Sequence, residues 1–276
     1  MGQLMQFIEA KGVRIPAVGL GTWELRGRDC ARLVQQAIRL GYRHFDTAQM
    51  YGNERDVGEG VRASGIKREE IFVVTKVSPE NLAPRALERS VKDSVGQLRL
   101  GEIDLLLLHW PNKEVPLKDT IAALVGVKRD GLVRQIGVSN YTVALLEQAD
   151  RLAEHRLVCN QIEMHPFLDQ SKVVAACRAL EMAVIAYSPI ARGGAKHDAV
   201  LTRIGKAHGK SAAQVSLRFL VQQGIGVIPR TSRIERLSEN IDIFDFGLSE
   251  TEMKEIAALA RPNGRIVDWS WSPVWD

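Results

Sequence analysis

Cysteine is scarce: Cys30, Cys159 and Cys177 are the only three. The number is odd, and the spacings match no metal or redox motif. A disulfide framework is therefore excluded, and the thiols read as small core residues in a reducing compartment. Long apolar runs are also missing, since DLLLLHWP is far too short to span a membrane. Nor is there any block of like charge. The 37 basic and 33 acidic residues leave a net charge of +4, with the bases dispersed. The pI near 9.0 suits anionic small molecules, but no nucleic-acid arm is expected. MGQLMQFIEAKG has no basic stretch followed by an apolar core, so no secretory signal is read there. It also lacks the hydroxyl residue of the myristoylation pattern. The expectation is a cytoplasmic protein that meets neither nucleic acid nor membrane. One further absence concerns the first strand–helix turn, GLGTWELRG. It carries Gly19 and Gly21 without the third glycine of a dinucleotide fingerprint, which disfavours a doubly wound nucleotide fold.

What is present is a rhythm. FIEA and VRI read as a hairpin turning at Lys11-Gly12. AVGLG reads as a short strand. Cys30, Leu33, Val34, Ala37 and Ile38 then recur at helical spacing, closed by Gly41. Strand YRHFDTA, a helix from about Glu54 and strand IFVVTKV follow. The next helix sets Ala83, Leu87, Val91, Val95 and Leu98 on one face. EIDLLLLHW is apolar without a break, as strands buried on both faces are. Further strands are VRQIGVS, CNQIE, AVIAYS and GVIP, with helices between them. A last helix near 250–260 has Met253, Ile256, Ala257 and Ala260 in register. Eight strand–helix units in about 250 residues favour a closed barrel over an open sheet. The predicted fold is α/β: a (β/α)8 TIM barrel with an N-terminal β-hairpin and two extra helices. It forms one domain, 1–276, ending in a C-terminal loop, 261–276.

In such a barrel, chemistry sits at the C-terminal ends of the strands. Those ends carry Asp46, Lys76 and His109, with Tyr51 in a loop. Each has an ordinary alternative. Asp46 could cap a helix, Lys76 could snorkel to the rim, His109 could be a satisfied core histidine, and Tyr51 could be packing. The four on neighbouring strands are far more specific than any one. A buried ammonium needs a carboxylate, and Asp46 is one strand from Lys76.

GYRHFDTAQMYGNE, together with VGLGTW, VTKV, LLLLHWP, IGVSNY, NQIEMHPFL, AYSPIARGG and IPRTSRIERLSEN, resembles the aldo-keto reductases from end to end. The look is nearest to short bacterial reductases of 2,5-diketo-D-gluconate or methylglyoxal. The resemblance implies NADPH-dependent reduction of aldehydes and ketones to alcohols by hydride transfer, without a metal. Tyr51 would be the general acid, its pKa lowered by Lys76, which Asp46 holds. His109 would orient the carbonyl. Around the nicotinamide and its ribose the resemblance puts Thr22, Trp23, Asp46, Ser139, Asn140, Gln161 and Tyr187. Ser188, Pro189, Ile190, Ala191 and Gly193 would form the pyrophosphate loop, with Ile190 and Ala191 standing where the family more often has leucine and glycine. The adenosine phosphate end would fall to Ile228, Arg230, Thr231, Ser232, Arg236, Glu239 and Asn240, and its arginines favour NADPH over NADH. The substrate would meet Trp23, Tyr51, His109, Trp110, Trp269 and Trp271, because the tail DWSWSPVWD would fold over the barrel mouth. The family is mostly monomeric. Two rival readings are a nicotinamide-binding regulatory barrel and a barrel aldolase or isomerase using Lys76 as a Schiff-base nucleophile.

Overall fold

The computed structural model describes residues 6–276. Strands β1 (Phe7–Ala10) and β2 (Val13–Pro16) pair antiparallel. Lys11 and Gly12 between them both take positive φ, 48° and 78°, the backbone that a two-residue hairpin turn needs. Ile8 and Ala10 face the starts of the seventh and eighth barrel strands, so the hairpin plugs the barrel floor.

Eight parallel strands follow in chain order: β3 (Leu20–Gly21), β4 (His44–Asp46), β5 (Phe72–Val77), β6 (Ile103–Leu108), β7 (Val133–Ser139), β8 (Leu157–Glu163), β9 (Ala183–Tyr187) and β10 (Gly226–Val227). Helices α1 (Gly27–Arg39), α2 (Glu54–Ala63), α3 (Pro84–Leu98), α4 (Leu117–Arg129), α5 (Val143–Leu152) and α6 (Ser171–Ala179) each follow one strand. After β9 come α7 (Ala199–His208) and α8 (Ala212–Val221), and after β10 come α9 (Ile234–Ile241) and α10 (Glu250–Ala257). Each strand pairs with the next one in the chain. The ring closes through parallel bridges Val18–Val227 and Gly21–Arg230. An open doubly wound sheet reverses its strand order midway; this one never does.

The core follows from the patterning. Every residue of β6 is buried, and α1 buries Cys30, Leu33, Val34, Ala37 and Ile38 as its spacing predicts. Gly41 sits just past the C-cap with φ 100°. Gly58 lets α2 meet α3 closely, since a Cβ there would lie 1.9 Å from the Leu98 carbonyl oxygen. Three expectations need correction. The strand expected over AVGLG is confined to Leu20–Gly21, with Val18 joined to Val227 only by an isolated bridge. Ala83 is the exposed N-cap of α3, and Ser94 takes an inward place there by accepting from Gln49 Nε2 at 3.1 Å. In α10, Ala257 is exposed and Ile256 alone is buried.

Candidate active site

Strand ends bring the four predicted groups together. Asp46 ends β4, Lys76 is the fifth residue of the adjacent β5, and His109 follows β6. Tyr51 closes a short 3-10 turn, Gln49–Tyr51, beyond β4. Lys76 Nζ donates to Asp46 Oδ1 at 2.6 Å, to the Thr47 carbonyl at 2.9 Å and to the Tyr51 hydroxyl at 3.4 Å. Both Lys76 and Asp46 are buried. The Asp46 carboxylate is not a helix cap: α2 begins eight residues on, after Asn53. Its second oxygen, Oδ2, accepts from Gln161 Nε2 at 2.7 Å. The ring of Tyr51 meets the His109 ring edge-on, centroids 5.6 Å apart.

Burial and charge set the proton positions. Burial alone would lower the Lys76 pKa, but Asp46 and Tyr51 outweigh it and the net direction is up, so the ammonium persists. For Tyr51 the expected effect of Lys76 is present but outweighed. Lys76 does pull the phenol down, yet burial is the larger effect and the net shift is upward. The sequence reading weighed only the charge. His109 is driven well below the ordinary histidine value, first by burial and then by Lys76. It is therefore a neutral imidazole, and among the described residues its buried Nδ1 has no hydrogen-bond partner.

Residues expected at the nicotinamide end form one connected network. Ser139 Oγ donates to the Gln161 carbonyl (2.9 Å), and Asn140 Nδ2 to Ser139 Oγ (3.1 Å) and the His109 carbonyl (3.0 Å). Tyr187 donates its hydroxyl to Asn140 Oδ1 (2.7 Å). Thr22 donates to the Asp46 carbonyl (2.9 Å), and Trp23 is partly exposed beside it. In the loop after β9, Ser188 and Ala191 hold φ of 50° and 49°. Alanine thus adopts the left-handed backbone that glycine takes freely, at a cost of about 1–2 kcal/mol. Pro189 accepts from Ser216 at 2.6 Å, Ile190 is half-buried, and Gly193 sits at φ 99°.

Around the start of α9, Ile228 is buried and Arg230 donates to the Trp23 carbonyl at 3.1 Å. The two hydroxyls differ. Thr231 is buried and accepts from the Arg233 N–H at 3.0 Å, whereas Ser232 is exposed. Glu239 accepts from Ser211 at 2.5 Å, and Asn240 is buried. Arg236 is half-buried, and Lys196 of the β9 loop lies near enough to feel its charge.

The tail folds over the mouth. Trp271 and Trp275 pack edge-on against Trp110, at 5.1 and 6.1 Å between centroids. Trp269 stacks on Trp271 at 6.3 Å and is half-exposed. The root of the tail is clamped by Glu163, the last residue of β8, which accepts from the N–H groups of Ile266 (2.6 Å) and Val267 (2.8 Å). Sequence reasoning missed Glu163, Arg192 and Arg265, whereas Trp275 belongs to the tail stretch DWSWSPVWD that it expected at the mouth. Glu163 was discoverable, since it lies two residues after Gln161 and so on the same strand face. Arg192 sits 5.0 Å over the Trp23 ring and Arg265 3.6 Å over the Trp275 ring, contacts that only the folded loops create. Two cavities of about 420 and 410 Å³ lie at the opposite end, around Phe7 and Arg43 and around Ile8 and Arg178; neither is lined by any of these residues. Among the described residues no cluster suited to a metal occurs, and no helix is long and apolar enough to cross a membrane.

Comparison with known proteins agrees with this geometry. Residues 17–261 match the Aldo/keto reductase family. The chain is 41% identical over 249 residues to a glyoxal reductase of Bacillus subtilis (strain 168), covering 90% of each chain. It is 38% identical over 265 residues to the methylglyoxal reductase DkgB of Escherichia coli O157:H7, covering 95% of this chain and 99% of that one. A solved structure, described as a candidate 2,5-diketo-D-gluconic acid reductase B, superposes with a TM-score of 0.97 at 46% identity, covering 99% and 98% of the two chains. With its barrel, its buried Asp–Lys pair and its family match over most of its length, the chain belongs to the aldo/keto reductase family.

Proposed function

We propose that the protein is an NADPH-dependent reductase of aldehydes and ketones. Its substrates are small dicarbonyls such as methylglyoxal, or keto-sugar acids such as 2,5-diketo-D-gluconate, and the products are alcohols. The observation that carries this reading is the buried Lys76, bonded at once to Asp46 and Tyr51. A lysine so paired stays protonated, which speaks against the Schiff-base role. The relatives named for glyoxal and methylglyoxal reduction support the substrate class.

The donor set fits a nicotinamide dinucleotide. His109 Nδ1 is an orphaned buried nitrogen at the mouth, amides Asn140 and Gln161 line strand ends, and Arg230, Arg233 and Arg236 gather near one helix start. Ser139, Asn140, Gln161 and Tyr187 would hold the nicotinamide end. Arg230, Ser232 and Arg236 would hold the adenosine phosphate, the feature that separates NADPH from NADH. Bound there, the reduced cofactor supplies a hydride to the carbonyl carbon.

The chain's own residues manage the proton. Tyr51, still protonated at neutral pH, gives its hydroxyl proton to the carbonyl oxygen as charge gathers there. Lys76 Nζ, 3.4 Å away, meets the phenolate charge left behind. Asp46 and Gln161 keep Lys76 aimed. His109, being neutral, has one N–H to donate to the same oxygen and adds no competing charge. The tail tryptophans with Trp23 and Trp110 supply an apolar wall that strengthens these interactions by excluding water. On this reading the protein works as a cytoplasmic monomer. The test is a carbonyl panel with NADPH and NADH side by side. NADPH oxidation by methylglyoxal or 2,5-diketo-D-gluconate, with kcat/KM favouring NADPH, is expected; cofactor-independent turnover, or no oxidation of either cofactor, overturns the reading.

A further inference from the structure

Arg265 lies at the root of the tail, next to Ile266 and Val267, which Glu163 clamps. The residue is half-buried. Yet among the described residues no hydrogen bond or ion pair engages its guanidinium, and its NH1 is shut away from solvent without an acceptor. Buried donors are nearly always paired, so an exception calls for an explanation. Three carboxylates lie close enough for Arg265 to feel their charge, Glu163, Asp268 and Asp276. Each is spent elsewhere. Glu163 accepts from two tail N–H groups and from His165 (3.0 Å), Asp268 from Trp275 Nε1 (3.0 Å) and Asp276 from the Val143 N–H (3.0 Å). The acids lower the electrostatic cost of holding the cation without occupying its donors.

Its neighbours tie it to the barrel mouth. Trp275 covers one face of the guanidinium at 3.6 Å and packs edge-on to Trp110, the residue after His109. On another side the charge of Arg265 is felt at Tyr187, whose hydroxyl is bonded to Asn140 in the network that reaches His109. A guanidinium stacked on an indole keeps its in-plane N–H edge for a planar partner, and the partner matching that edge is a carboxylate.

We propose that Arg265 is the carboxylate-recognition group of the substrate site, so that the enzyme favours carbonyl compounds bearing an acid group over neutral ones. This rests on the reductase reading above. A carbonyl held at Tyr51 and His109 leaves the far end of a keto-sugar acid to reach the tail, whereas methylglyoxal has no charge to offer.

The experiment measures kcat/KM with NADPH for 2,5-diketo-D-gluconate and for methylglyoxal, in the wild type, Arg265→Gln and Arg265→Lys. A loss of roughly 10- to 100-fold for the acid in Arg265→Gln is expected, as for a charge-assisted hydrogen-bond pair. Methylglyoxal should lose much less than the acid does, and Arg265→Lys should restore part of the acid preference. Calorimetric titration with gluconate, which carries no reacting carbonyl, gives a readout apart from turnover. Binding to the wild type and its loss in Arg265→Gln are expected. Equal losses for both substrates would mean a purely structural role and overturn the proposal, as would no loss for either. A wild type that reduces methylglyoxal but discriminates against the acid overturns the proposal and leaves the reductase reading standing. Failure to oxidise NADPH with either substrate overturns both.

Discussion

Lys76 is encircled by oxygen: the Asp46 carboxylate, the Thr47 carbonyl and the Tyr51 hydroxyl take its three N–H bonds. Removing one partner of such a buried pair typically costs about 3–5 kcal/mol, because the other charge is stranded. Tyr51 can be changed more safely, since Lys76 keeps its two stronger bonds. Tyr51→Phe should lower kcat by about 10²–10⁴-fold, the usual worth of a positioned acid, while the dissociation constant for NADPH stays unchanged by calorimetry. Turnover near the wild-type rate would remove Tyr51 from the role. Most of the candidate cluster was legible in the sequence, because Asp46, Lys76 and His109 each end or follow a strand and strand ends converge in a barrel. The protonation of Tyr51 was not, because burial depends on walls contributed by distant segments.

Among the elements, the tail carries the most consequence. Glu163 clamps its root, Arg261 N–H donates to the Phe167 carbonyl at 3.2 Å, and Asp276 accepts from the first turn of α5. Gly264 fits between them, as a Cβ there would lie 1.8 Å from the Phe167 carbonyl oxygen. Gly264→Ala must therefore shift the tail. Overpacking of this kind costs about 1–3 kcal/mol. The KM for carbonyl substrates should rise by up to roughly the same energy, about 5- to 150-fold, with NADPH affinity little changed. Equal damage to both would mean that the tail also shapes the cofactor site. From sequence, the tail's aromatic content showed that it must pack on something, and the family resemblance said where. The anchors stayed hidden. Glu163 lies about a hundred residues from its partners, and backbone N–H groups leave no mark in side-chain patterns.

At the scale of the molecule, the barrel was legible because eight apolar strands alternate with amphipathic helices and buried β6 needs cover on both faces. Its seam was less so. β10 has only two residues, and closure relies on bonds such as Gly19 N–H to the Val227 carbonyl at 2.8 Å. The interior also holds two histidines whose pKa values are depressed, His44 and His109, each chiefly by burial. The unfolded chain takes up protons there near pH 6.5, while the folded chain resists until lower pH. Their contribution to stability is therefore complete above about pH 6.5 and lost as pH falls below it, by at most about 1.4 kcal/mol per histidine per pH unit. Urea midpoints followed by far-ultraviolet circular dichroism should be lower at pH 5.5 than at pH 7.5; a flat or inverted trend would contradict the assignment.

All five indoles, at Trp23, Trp110, Trp269, Trp271 and Trp275, stand at one end of the barrel, and none lies in the floor or the outer helical ring. The protein's ultraviolet emission is consequently a local gauge. It reports the docking of the tail and whatever enters the mouth, and it is blind to the other end. Trp110 is buried while Trp23, Trp269 and Trp271 are exposed, so a shift of the emission marks the moment at which water reaches the wall of the mouth.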